Sequence, residues 1–138
     1  MMTASQENAD VKTNAKMSLK YFKHEEFDSP DLPNSGVNMD SDFLQKLDHA
    51  REIAGIPFKI NSGYRTKEHN DAIYFGKKPI KSSHLIGKAV DIAYSNSRER
   101  WLIITALQDA GFNRLGISKG FVHADTDETK APNVIWTY

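Results

Sequence analysis

Residues Ala89 to Ala93 read Ala-Val-Asp-Ile-Ala, and no other stretch restricts the chain as tightly. So apolar a run predicts a buried strand, in which Val90 and Ile92 point to one face and Asp91 to the other. A carboxylate set between two core residues needs a partner, because an unpaired buried charge is costly. A second run, Phe121-Val-His-Ala-Asp125, has the same character. Its alternation turns Val122 and Ala124 toward the interior and puts His123 and Asp125 together on the opposite face. Two strands that each carry polar groups on one face predict a sheet with chemistry on that face.

The rest of the chain supplies helices to cover the other face. Phe43, Leu44, Leu47, Ala50 and Ala54 recur at spacings of three and four, which predicts a helix over about 41–54. Asp40 or Ser41 can cap its start, and Gly55 suits its left-handed stop. A second helix is expected over about 97–110, with Ile103, Ala106, Leu107 and Ala110 on one face and Gly111 as its stop. A short strand over 57–61 has Phe58 and Ile60 on one face, and Thr66 can cap a short helix reaching Tyr74. The segment 28–36, with two prolines, reads as a loop, as does 76–83, and the last strand is expected over 120–125. The expected fold is a single α+β domain with a small antiparallel sheet and flanking helices. Residues 1–17 are polar and aperiodic and are expected to be a flexible tail, leaving 18–138 as the domain.

Composition narrows the ligand. The 18 basic and 18 acidic residues cancel, which gives no electrostatic reason to expect nucleic acid or an anionic membrane as partner. The chain has no cysteine, so disulfides and thiolate metal sites are excluded and any metal must be held by histidine and carboxylate. No apolar run opens the chain, so neither a secretory signal nor membrane insertion is expected.

Two histidines and a carboxylate, His84, Asp91 and His123, make a plausible three-ligand zinc set with a fourth position left open. The alternative is plain packing, with each histidine hydrogen-bonded in the core and Asp91 paired to a lysine. Asn61-Ser-Gly-Tyr-Arg65 follows a strand end, where Gly63 suits a tight turn and Arg65 can grip a carboxylate with two N–H groups or form a surface ion pair. His24 and His49 lack metal-like spacing, and His49 is expected in solvent. His69 and Asn70 suit either the site or a helix surface. Trp101 and Trp136 read as core or rim residues, and Lys77-Lys78 and Arg98-Glu99-Arg100 as solvated faces.

Taken together, Ser62-Gly-Tyr-Arg65, Ser82-Ser-His-Leu-Ile-Gly-Lys-Ala-Val-Asp91 and Phe121-Val-His-Ala-Asp125 resemble the zinc D-alanyl-D-alanine peptidase family, in order, spacing and strand context. The resemblance extends over about 18–138 and is nearest to the short versions found in phage lysins and small bacterial wall enzymes. It implies a hedgehog-like and D-Ala-D-Ala-peptidase-like fold, with zinc held by His84, Asp91 and His123. It further implies a substrate site containing Arg65, Ser82 and Tyr64, and hydrolysis of peptidoglycan peptides as a carboxypeptidase or endopeptidase. Several relatives place a glutamate three residues before the last zinc histidine, to take a proton from the attacking water. Gly120 stands there in this chain, which leaves Asp125 as the nearest acid, either as the catalytic base or as a group that orients His123.

Without a signal sequence, the chain is expected to be made in the cytoplasm and to reach the wall as a phage lysin does, through a holin-type partner. It is expected to act as a monomer. Two other functions fit the same residues: a zinc-stabilised wall-binding or virion module without catalysis, and a cytosolic peptidase that trims recycled wall peptides.

Overall fold

The computed structural model describes residues 18–74 and 81–138. The expected tail over 1–17, the pair Lys77-Lys78 and most of the expected 76–83 loop lie outside the described residues. Three α-helices, α1 (Ser41–Ala54), α2 (Lys67–Ile73) and α3 (Ser97–Asp109), accompany five strands among them. The strands are β1 (Lys59–Ser62), β2 (Ala89–Ala93), β3 (Arg114–Ser118), β4 (Phe121–Asp125) and β5 (Val134–Thr137). Short 3-10 turns at His24–Phe27, Ser35–Asn38 and Ser83–Ile86 fill the connections.

The sheet runs in the order β1-β2-β4-β3-β5. All neighbours are antiparallel except β3 and β5, which run parallel, so the expected antiparallel sheet is in fact mixed. Strands β3 and β5 lie beyond the strands expected from the sequence. In β3, Arg114 and Gly116 interrupt the apolar pattern. In β5, the strand pairs in parallel with β3, across the whole of β4 in sequence, and no local signal announces such pairing.

Alternation along the strands divides the molecule into two faces. Val90, Ile92, Leu115, Val122 and Ala124 join Phe43, Leu44, Leu47 and Ala50 of α1 and Ile103, Ala106 and Leu107 of α3 in one core. Each fully buried Val, Leu, Ile or Phe side chain among them contributes about 1.5–3 kcal/mol, which makes that face the main source of stability. Helix α1 is bounded as expected: Asp40 accepts the N–H of Phe43 at 3.0 Å, and Gly55 ends it at φ 71°. Asn96 caps α3, its side chain accepting the N–H of Glu99 at 2.9 Å. With one face covered by α1 and α3, Asp91, His123 and Gly116 fall on the opposite face of the sheet.

Candidate metal centre

Asp91 and His123 are direct cross-strand partners on β2 and β4, so the register alone brings them together. Asp91 Oδ1 lies 3.0 Å from His123 Nδ1. His84 arrives from the 3-10 turn before β2, capped by Ser82, whose Oγ accepts the His84 N–H at 3.2 Å. Its Nε2 lies 3.4 Å from Asp91 Oδ1. All three side chains are buried, and one ligand atom from each falls within 4.8 Å of the others. The two imidazole rings stand 5.3 Å apart, inclined at 64°.

The tautomers follow from the partners. His84 Nδ1 lies 2.7 Å from the carbonyl of Gly63, which can only accept, so Nδ1 carries the proton and Nε2 turns its lone pair to Asp91. Burial disfavours the imidazolium and pushes the His84 pKa below its ordinary value, despite the pull of Asp91. His123 is flanked on both sides, with Nε2 2.7 Å from Asp125 Oδ2. Burial would lower its pKa too, but the two carboxylates outweigh it and the value is raised. Asp91 is the mirror case. Burial alone would raise its pKa, whereas the hydrogen bond from His123 outweighs it and holds it well below the carboxylate range.

These donors suit a divalent ion of the zinc type. Bond lengths of about 2.0–2.1 Å at tetrahedral angles put ligand atoms about 3.4 Å from each other, and the 3.0 and 3.4 Å spacings here are close to that. Neutral His84 presents Nε2 and His123 presents Nδ1 once its Nε2–H is given to Asp125. The chemistry of two nitrogens and one oxygen admits zinc and several other divalent ions.

Around the cluster is an open cavity of about 290 Å³, also bordered by Arg65, Ser82, Arg114, Lys130 and Trp136. Arg65 is tied down on three sides: Nε donates to Ser62 Oγ at 3.1 Å, and one terminal nitrogen donates to Asn70 Oδ1 and Ser82 Oγ, each at 3.4 Å. Its other terminal nitrogen lies 3.5 Å from Asp91 Oδ2. The sequence-predicted Arg65, Ser82, His84, Asp91, His123 and Asp125 thus all border one space. Tyr64 borders the adjoining depression with Leu85 and Asn70, which Arg65 also lines.

Asp125 stands behind His123, and both its oxygens are engaged. Oδ2 meets His123, while Oδ1 accepts from Arg114 Nε at 2.7 Å and from the Asp127 N–H at 3.1 Å. Burial would raise its pKa, but His123 and Arg114 outweigh it and the value is lowered. Asp125 thus bridges His123 and Arg114.

Gly63 departs from its expected reason. It is not in a left-handed turn; a Cβ there would stand 2.8 Å from the Cα of Phe27, so glycine is needed for close packing. Gly120, by contrast, has φ 93° at the β3–β4 turn, and its carbonyl accepts the Tyr94 N–H at 3.0 Å. It does not border the cavity.

Several contributors escaped sequence reasoning. Ser83 donates to Asp127 Oδ2 at 2.7 Å, joining the His84 turn to the loop after β4. Lys130 Nζ reaches Ser83 Oγ at 3.0 Å and the carbonyl of Lys81 at 2.9 Å. Arg114 and Trp136 stand on β3 and β5. Among the other singled-out residues, His49 is exposed as expected, Trp101 lies on the outer face of α3 at 60% exposure, and Asn70 is buried against Arg65.

A family model described as Peptidase M15 matches residues 15–125, which includes every ligand candidate. No curated protein matches the chain.

Proposed function

The chain belongs to the peptidase M15 family, and from that premise we propose that it is a zinc metallopeptidase that hydrolyses amide bonds in peptidoglycan stem peptides or cross-links. The observation that carries this reading is the convergence of His84, Asp91 and His123 on one point at the wall of an open cavity. Zinc held there would supply Lewis-acid polarisation of the scissile carbonyl and activation of water.

The chain's own residues do the positioning. Gly63 fixes His84 through its carbonyl, and Asp125 fixes His123, so both rings are oriented before a metal arrives. Arg65, braced by Ser62, Asn70 and Ser82, offers its second terminal nitrogen to a carboxylate or carbonyl of the peptide. Ser82 borders the same space and can hydrogen-bond the substrate backbone. Asp125 acts through His123 and not on the substrate. No helix among the described residues is long and apolar enough to cross a membrane. We further propose that the protein reaches the wall through a holin-type partner and works there as a monomer on peptidoglycan peptides.

The second reading, a zinc-stabilised wall-binding or virion module, has one observation in its favour. Among the described residues, the carboxylates bordering the cavity are Asp91 and Asp125, and both already have partners. The deciding measurement is mass spectrometry of purified sacculi treated with zinc-loaded protein, with His123→Ala as control. New peptide ends made only by the intact site are expected, and their masses name the bond. Folded, zinc-occupied protein that makes none, but binds sacculi, selects the binding module.

A further inference from the structure

One glycine decides what stands beside His123. Gly116 is the cross-strand partner of His123 on one side and of Trp136 on the other. Cross-strand partners share a face, so both rings project from the same side of the sheet with the glycine between them. Strands lie about 4.8 Å apart, which puts the Trp136 backbone about 10 Å from that of His123. The indole closes that distance by lying across β3, where a Cβ on Gly116 would stand 2.6 Å from it. The centres of the His123 and Trp136 rings are 5.5 Å apart, and their planes are inclined at 51°.

These contacts belong to a closed circuit of four side chains. His123 Nε2 meets Asp125 Oδ2 at 2.7 Å, and Asp125 Oδ1 accepts from Arg114 Nε at 2.7 Å. The Arg114 guanidinium lies over the indole, 5.0 Å from its centre, and the indole returns to His123. A hydrogen bond in the ring plane fixes which nitrogen His123 turns to Asp125, yet it leaves the imidazole free to rock about that bond. An aromatic ring packed against the imidazole removes this freedom. The cation held on the same indole is the one that fixes the carboxylate. Trp136 therefore touches His123 directly and steadies, through Arg114, the group that orients it. It contributes no atom to the three-ligand cluster, and it lies beyond residues 15–125 that the family model matches.

We propose that Trp136 is a positioning residue for metal binding, which holds the His123 imidazole so that Nδ1 stays turned toward Asp91 and the metal the cluster would take. Such a role rests on His84, Asp91 and His123 forming a metal centre, and it requires neither substrate nor turnover. Seated between Gly116 and Arg114, the indole is a fixed wall of the site. A residue that acts through this circuit loses its effect once Asp125 no longer orients His123, whereas one that only fills space keeps it.

The test is zinc affinity, measured by calorimetry with the metal alone. Trp136→Ala should lower it about tenfold, while Trp136→Phe, which restores an aromatic face, should stay within about threefold of wild type. In an Asp125→Asn background, Trp136→Ala should cost less than about threefold, because the circuit is already open. The same loss in both backgrounds overturns the proposal, as does a Trp136→Ala protein that binds zinc as wild type does. Where Trp136→Ala does not fold without metal, Trp136→Leu, which fills the seat without an aromatic face, carries the same expectations. A wild-type protein that binds no zinc defeats the metal reading instead, and the metal-free protein then decides on the positioning. By NMR, the Nε2–H proton of its His123 should exchange with water about tenfold faster in Trp136→Ala than in wild type. Equal exchange sinks the role.

Discussion

The ring of His84 is oriented by the carbonyl of Gly63, 2.7 Å from Nδ1, on a turn whose backbone lies too close to Phe27 for any side chain. A conformational requirement 21 residues away thereby sets which nitrogen of His84 faces Asp91.

That relationship predicts the effect of Gly63→Ala. The added Cβ would stand 2.8 Å from both the Cα and the Cβ of Phe27, neither of which can swing away, so the turn must shift and move its carbonyl. Unfolding of the metal-free protein in urea should show a loss of about 1–3 kcal/mol. Zinc affinity of the folded fraction should fall about 10–100-fold, as when an orienting partner of a ligand is removed. Normal zinc affinity in a destabilised variant would show that the carbonyl does not set the ring.

Asp125→Asn separates the two roles weighed for that residue. An amide can still accept from Arg114 but no longer stabilises the His123 tautomer that offers Nδ1, so zinc binding should weaken about 10–100-fold in calorimetry. If Asp125 were instead the catalytic base, zinc affinity would hold and kcat alone would collapse.

Asp127 predicts a pH dependence away from the ligands. Burial would raise its pKa, but Thr129 and Ser83 donate to it and hold it down at about 2. Its folded value lies below the unfolded one of 3.8, so its stabilisation is present above that value and is lost as pH falls toward 2. Asp127→Asn should be less stable than wild type by about 1–2 kcal/mol at pH 6, with the gap closing near pH 2. Urea unfolding of the metal-free proteins across that range measures it; a gap that does not change with pH rules the ionised form out.

What the sequence made legible was local. The strand around Asp91, the helix with its Phe43-to-Ala54 stripe and the caps at Asp40, Gly55 and Thr66 each rest on spacings within a few residues. The convergence of His84, Asp91 and His123 was readable because the strand alternation marked Asp91 and His123 and the resemblance added His84. The aromatic end of the site was not. Trp136 reaches His123 only because β5 pairs parallel with β3 and Gly116 leaves room, a matter of register between segments that share no periodic signal.

Gly120 gives a last prediction, because the sequence alone makes it look like the loss of a catalytic glutamate. In the structure it is a turn residue at φ 93°, outside the cavity, with open space where a Cβ would go. Gly120→Glu therefore meets no clash, yet it forces a side chain into a backbone region that favours glycine, at a cost of about 1–2 kcal/mol. Its carboxylate would start from the hairpin turn and not from a strand position facing Asp91. The variant should lose stability by that amount in urea unfolding and gain no activity on sacculi. A gain of tenfold or more would show that the turn bends toward the cluster when substrate is bound, and that this chain lacks an acid its site can use.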